Sequence, residues 1–201
     1  ELHGVRRPDV AGAHRVFASG LRNPVGMAWD TPGQTLWTVG NERDELGNDL
    51  VPDYLTSVTE GGFYGWPYCY WGQTVDDRVP KDAAKVATAQ NPDYALGGHT
   101  ASLGLCWMPA GTLPGFDVDG MVIGQHGSWN RSTLSGYRVV FVPFAGGRPA
   151  GPVRDILSGF LAPDESVSYG RPVGVAIGPD AHSVLVADDV GDVIWRVTGA
   201  M

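Results

Sequence analysis

A segment of this chain occurs twice, and the two copies align without a gap. Asn23-Pro24-Val25-Gly26-Met27-Ala28-Trp29, followed by Leu36-Trp37-Thr38-Val39, matches Arg171-Pro172-Val173-Gly174-Val175-Ala176-Ile177, followed by Val184-Leu185-Val186-Ala187. Asn23 falls on Arg171 and Val39 on Ala187, an offset of 148 residues at both ends. A third copy, with a longer hairpin loop, is Ser102-Leu103-Gly104-Leu105-Cys106-Trp107 followed by Met121-Val122-Ile123-Gly124. Each copy reads as a loop, a strand, a turn and a second strand. The offset suits three propeller blades of about 40–50 residues each. A glycine near the start of each first strand lets backbones approach closely where inner strands converge.

The remaining sequence agrees with an all-β fold. Gly and Pro, 29 and 15 of 201 residues, leave little room for long helices and exclude a bundle or a doubly wound sheet. Short apolar runs predict strands at Val25–Trp29, Thr35–Val39, Tyr54–Val58, Leu103–Trp107, Met121–Gly124, Tyr137–Pro143, Gly174–Ile177, Ser183–Ala187 and Asp192–Val197. The one helical stretch expected is about a turn within Asp82–Gln90. At about 40–50 residues per blade the chain supplies roughly four blades, so it reads as a partial β-propeller. An open arc of blades exposes sheet edges and apolar faces. Further blades are therefore expected from elsewhere: a cleaved or missing N-terminal segment, a separate polypeptide or a second copy. The start, Glu1-Leu2-His3, is that of a mature, processed or excised chain, with no signal-like apolar core.

Charge and cysteine usage narrow the function. Fourteen basic against 22 acidic residues leave a net charge of −8, which repels phosphate backbones and argues against nucleic-acid binding. No apolar run reaches the length of about 20 residues that spans a bilayer. Cys69 and Cys106 make no metal motif; each sits among aromatic and aliphatic residues, as a buried free thiol or as half of one disulfide.

Polar loops that lead into the predicted inner strands are the candidate site. Arg22-Asn23 can make paired contacts to a carboxylate or a quinone oxygen, or can be a surface Arg beside a turn-capping Asn. His99 and His126 occupy corresponding places in the other repeats, and Arg171 matches Asn23 in the alignment. The acidic loop from Asn41 to Asp49, continuing to Asp53, reads either as a cation site or as a solvated loop, and it does not fit the EF-hand register. No nucleophile elbow, HExxH, P-loop or GxGxxG is present. Asn130-Arg131-Ser132 fits the glycosylation acceptor pattern.

Gly20–Gly26 (GLRNPVG), the acidic loop up to Asp53 and above all Gly61–Pro67 (GGFYGWP) resemble the soluble PQQ-dependent sugar dehydrogenases. The closer likeness is to the sorbosone dehydrogenase-like branch and to fungal pyranose dehydrogenases. Asp93–Gly104, Gly124–Arg131 and Tyr169–Val173 extend it to nearly the whole chain, from about Val16 to Val197. The resemblance implies a six-bladed propeller with four-stranded blades, of which this chain would be the C-terminal half. It implies pyrroloquinoline quinone (PQQ) at the channel mouth with Ca²⁺ beside it. Arg22, Asn23, Asp53, His99, His126 and Arg171 would be the cofactor contacts, with Arg22 also polarising the quinone. The backbone carbonyls of Gly40 and Asn41 would hold the Ca²⁺.

Where glucose-oxidising relatives carry a Lys, this chain has His126 and a longer loop, and their second Arg is Val173 here. The family's base is a His upstream of the Arg-Asn pair. Only His3 and His14 precede Arg22, neither in a matching motif, so the base is expected in the missing half. The implied activity is oxidation of a sugar or a related aldehyde or alcohol, with electrons passed to an external acceptor, in a periplasmic or secreted protein. The alternatives are a calcium-dependent propeller hydrolase of the lactonase kind and a non-catalytic propeller fragment.

Overall fold

Period-two alternation of apolar residues resolves into strands along nearly the whole chain. The structure, a computed structural model, describes residues 15–199; His3 and His14 lie outside them. The strands are β1 (Pro24–Trp29), β2 (Leu36–Gly40), β3 (Pro52–Val58), β4 (Cys69–Tyr70), β5 (Thr74–Val75), β6 (Tyr94–Gly98), β7 (Ser102–Met108) and β8 (Gly120–Gln125). They continue with β9 (Arg138–Ala145), β10 (Arg148–Pro149), β11 (Arg154–Leu157), β12 (Pro172–Ile177), β13 (Val184–Asp188) and β14 (Val193–Val197). One turn of helix, α1 (Ala83–Val86), is capped by Asp82, whose carboxylate accepts from the Lys85 amide at 3.0 Å.

Three antiparallel sheets follow one another: β1-β2-β3-β6, then β7-β8-β9 with β10 and β11 on β9, then β12-β13-β14. The three repeats are the leading hairpins of these sheets. Each pairs the same way, with a register irregularity after its first residue: Pro24/Met27, Ser102/Gly104 and Pro172/Val175. The inner strands stand side by side, β1 against β7 and β7 against β12. This succession is the arrangement of a partial β-propeller. These three sheets hold four, five and three strands, and β4 and β5 form a separate two-stranded sheet, among the described residues.

The repeat glycines have their reason here. A Cβ on Gly26 would lie 2.5 Å from the Leu103 carbonyl oxygen, and one on Gly104 would collide with the carbonyl of Val173. Only a hydrogen fits between adjacent inner strands at these points.

Two cores fill the gaps between sheets. Trp37, Val39, Leu55 and Leu96 of the first sheet meet Leu105, Met121, Ile123, Val140, Val142 and Phe144 of the second. Met108, Val122, Val139 and Phe141 of the second meet Val184 and Val186 of the third. Successive residues of β8 thus serve opposite cores, and the strand is buried along its whole length. Trp37 and Trp107 both pack edge-on against Phe144, at 4.9 and 5.2 Å between ring centres. Cys69 and Cys106 are free thiols, and burial pushes that of Cys106 up to about 12.

Candidate functional site

The loops at one end of the inner strands converge. Arg22 and Asn23 precede β1, His99 precedes β7, and His126 follows β8. With Asn41 and Asp53 of the first sheet, they line one cavity of about 310 Å³. Of the sequence candidates, Arg171 and Gly40 stand outside its wall. Trp129 and Asn130, which the repeat pattern does not single out, are part of it.

Arg22 is the hub of this wall. Its Nη1 donates to the carbonyls of Asn41, at 3.3 Å, and Glu42. Nη2 lies 3.1 Å from Asp44 Oδ2. Trp66 of the GGFYGWP motif sits beside it, with the guanidinium 5.6 Å from the ring centre, and Arg43 covers the same ring at 4.0 Å. A tryptophan in a glycine-rich loop between strands is expected to serve packing. The structure adds a second task, because Trp66 aligns two arginines along a neighbouring cavity of about 350 Å³. Arg43 is buried and ion-paired with buried Asp76, which Arg78 also binds.

Other candidates are held by protein partners. Asp53 Oδ1 accepts from the Glu42 amide at 2.9 Å, and Oδ2 accepts from Thr100 Oγ1 at 3.0 Å and from the Ala101 amide at 2.8 Å. Burial raises the pKa of this carboxyl against the pull of those donors. Both oxygens therefore join the acidic loop to the loop before β7. Asn23 contributes its carbonyl, which accepts from the Asn41 amide at 3.1 Å.

His99 is buried, at φ +57, with Nε2 2.8 Å from the carbonyl oxygen of Gly47. A carbonyl only accepts, so Nε2 carries the proton. Nδ1 then accepts from Asn130 Nδ2 at 3.2 Å, which assigns the neutral tautomer from its partners. The same Asn130 amide donates to Asp44 Oδ1 at 2.7 Å, so it is engaged inside the site and is not presented as a glycosylation acceptor. His126 sits differently. Its Nε2 is 3.0 Å from both oxygens of the half-exposed Asp189. Arg171 holds the loop behind it, donating to the carbonyls of His126 at 2.9 Å and Gly127 at 2.6 Å, with its guanidinium over Tyr137.

The fit of a hard cation turns on residues 40–42. Gly40 ends β2 against the Tyr54 ring, which a Cβ would strike at 2.5 Å. The Asn41 carbonyl already accepts from Arg22, but Asn41 Oδ1 is buried without a hydrogen-bond partner. Glu42, 6% exposed on the same wall, has its carboxyl pushed up to about 7 by burial, despite the Arg43 amide and the charges of Arg43 and Arg22. An orphaned amide oxygen and a buried carboxyl on one cavity wall are hard oxygen donors of the kind Ca²⁺ takes. Among the described residues, no three His, Cys, Asp or Glu side chains gather as a metal site.

Comparisons with known proteins place the chain. The family model described as TrAA12-like matches residues 72–200. A Borreliella burgdorferi protein described as uncharacterized is 30% identical over 188 residues, covering 90% of this chain and 48% of that protein. The pyrroloquinoline quinone-dependent pyranose dehydrogenase of Coprinopsis cinerea is 27% identical over 243 residues, covering 96% of this chain and 33% of the enzyme. This chain thus spans between a third and a half of these curated relatives.

Solved structures share the fold. The calcium structure of the Trichoderma reesei Carbohydrate-Active Enzymes Family AA12 protein superposes with a TM-score of 0.74 at 22% identity, over 91% of this chain and 53% of that one. The holo form of the Coprinopsis cinerea pyranose dehydrogenase PQQ domain gives 0.68 at 22% identity, over 90% and 55%. Matched by that family model and superposing on these structures, the chain belongs to the TrAA12-like family, among the relatives of the soluble PQQ-dependent sugar dehydrogenases.

Proposed function

We propose that this chain carries the cofactor-binding part of a PQQ-dependent oxidoreductase that oxidises a sugar or a related aldehyde or alcohol and delivers two electrons to an external acceptor. The observation behind this reading is the meeting of Arg22, Asn23, Asn41, His99 and His126, drawn from two sheets, in one cavity. Its walls offer a guanidinium, an amide and a carboxylate-bound imidazole to an anionic, planar ligand. When bound, the quinone supplies the two-electron sink.

The chain's own residues have separate tasks. Arg22 would bind and polarise the cofactor's oxygens, giving up Asp44 for the ligand. Asn23 and His126 would contact the cofactor, while Asp53, His99 and Arg171 would act through the loops they hold. Oxygens of residues 40–42 would hold Ca²⁺: the carbonyl of Gly40 with Asn41 Oδ1 and Glu42, in place of the Asn41 carbonyl that the sequence resemblance implies, because Arg22 already occupies that carbonyl. The proton acceptor is assigned to a His upstream of Arg22 in the longer protein.

Residues 1–201 form the C-terminal half of a six-bladed ring in this reading. Support comes from the end faces of the arc. On the first sheet Met27 is 64% exposed and Trp29 59%; on the last, Ile194 is 72% exposed. Apolar faces of this kind are what neighbouring blades would cover. A periplasmic or secreted location goes with the same reading; no helix among the described residues is long and apolar enough to cross a membrane.

The test is an equilibrium titration with PQQ, with and without Ca²⁺, followed by tryptophan fluorescence. Saturable, Ca²⁺-dependent quenching is expected. Ca²⁺-dependent ester cleavage without quinone binding would instead favour a hydrolase.

A further inference from the structure

The loop between β8 and β9 is tied down on both sides of one residue and leaves that residue in water. Ser128 donates its amide to the Ser135 carbonyl at 2.9 Å, accepts the Ser135 amide on Oγ at 3.0 Å, and accepts Tyr137 OH on its carbonyl at 2.7 Å. On the other side, Asn130 is fixed to Asp44 and His99, and Arg131 Nη1 donates to the Asn48 carbonyl at 2.7 Å. Between them Trp129 is 77% exposed. A loop this constrained presents its indole instead of burying it, and so forgoes the apolar burial a tryptophan ordinarily gains.

Trp129 and Asn130 also form a wall shared by two cavities. One is the candidate site. The other, of about 350 Å³, is completed by Glu45, Gly47 and Asn48. A rigid, exposed aromatic face beside a carboxylate and an amide oxygen suits a pyranose ring. Its C–H face packs on the indole while its hydroxyls donate to Glu45 and to Asn130 Oδ1, the Asn130 amide nitrogen being engaged elsewhere.

We propose that the outer cavity is a second sugar subsite, with Trp129 as its stacking platform, and that the preferred substrate carries a second pyranose ring beyond the one that is oxidised. This rests on the reading above that the inner cavity takes a sugar.

The full chain, loaded with PQQ and Ca²⁺, is titrated calorimetrically with glucose and with cellobiose as probes. Cellobiose is expected to bind about tenfold more tightly than glucose, the fold-change of a contact worth about 1.4 kcal/mol. Trp129→Ala should erase that ratio, Trp129→Phe should keep most of it, and Glu45→Gln should reduce it. Equal affinities for the two sugars in the parent, or a ratio untouched by Trp129→Ala, would overturn the subsite and leave the sugar reading standing. Quinone binding with no binding of either sugar would overturn both.

Discussion

Arg22 and Asp44 face each other at 3.1 Å across the gap between two cavities, so the cationic group best placed to meet an anionic cofactor is already paired. On the proposed reading, binding there would exchange one carboxylate for another. Asp44→Asn keeps an acceptor for Asn130 and removes the competitor, and it is expected to tighten PQQ binding severalfold. Arg22→Ala is expected to weaken it by about tenfold or more, since a hydrogen bond to a charged group contributes about 1.5–3 kcal/mol. Fluorescence titration of the two variants measures both; unchanged affinity in Arg22→Ala would remove Arg22 from the site.

Asp76 lies buried between Arg43 and Arg78. Hydrogen bonding from Arg78 holds its pKa below the usual carboxylate value against the penalty of burial. A depressed carboxylate stabilises the fold above its unfolded pKa of about 4, and that contribution is lost as the pH falls through the folded value. Asp76→Asn strands Arg43 uncompensated and should cost about 3–5 kcal/mol at pH 7, with the gap to the parent narrowing below about pH 4. Urea melts at the two pH values decide it.

Arg171 touches the site through main-chain oxygens. Arg171→Ala is expected to speed hydrogen exchange at the amides of His126 and Gly127 and to weaken PQQ binding less than Arg22→Ala does. If it abolishes binding while those amides stay protected, Arg171 contacts the ligand itself.

Gly104 and Gly174 are equivalent in the repeat and differ in surroundings. A Cβ on Gly104 meets the backbone of β12, whereas one on Gly174 comes no closer than 3.8 Å, to Ala187. Gly104→Ala should destabilise by about 1–3 kcal/mol or more. Gly174→Ala should stay within about 0.5 kcal/mol in this chain. A penalty like that of Gly104→Ala, seen in thermal melts of a longer protein, would mark another sheet packed against β12.

Some of this was legible in the residues alone. Alternation in segments such as Val184–Asp188 is a local property, and each predicted strand appears with its ends moved by a residue or two. The glycines of the repeat announced close backbone approach. Five strands went unread: β4, β5 and β10 span only two residues each, and β6 and β11 (Tyr-Ala-Leu-Gly-Gly and Arg-Asp-Ile-Leu) have no alternation of their own, so that pairing with β3 and β9 makes them strands. The motifs likewise pointed to Arg22, Asn23, His99 and His126 as neighbours in space.

Motif and composition thus determined an all-β arc and some of the polar residues that line its cavity, Arg22, Asn23, Asn41, Asp53, His99 and His126. Only the tertiary structure decided which partners each of those residues meets. His99 has its ring nitrogens taken by Gly47 and Asn130, Asp53 has its oxygens taken by Glu42, Thr100 and Ala101, and Trp129 is left in water by a loop anchored on both sides. The reason is physical: a side chain's role depends on which donors and acceptors reach it, and most of these partners lie tens of residues away in sequence.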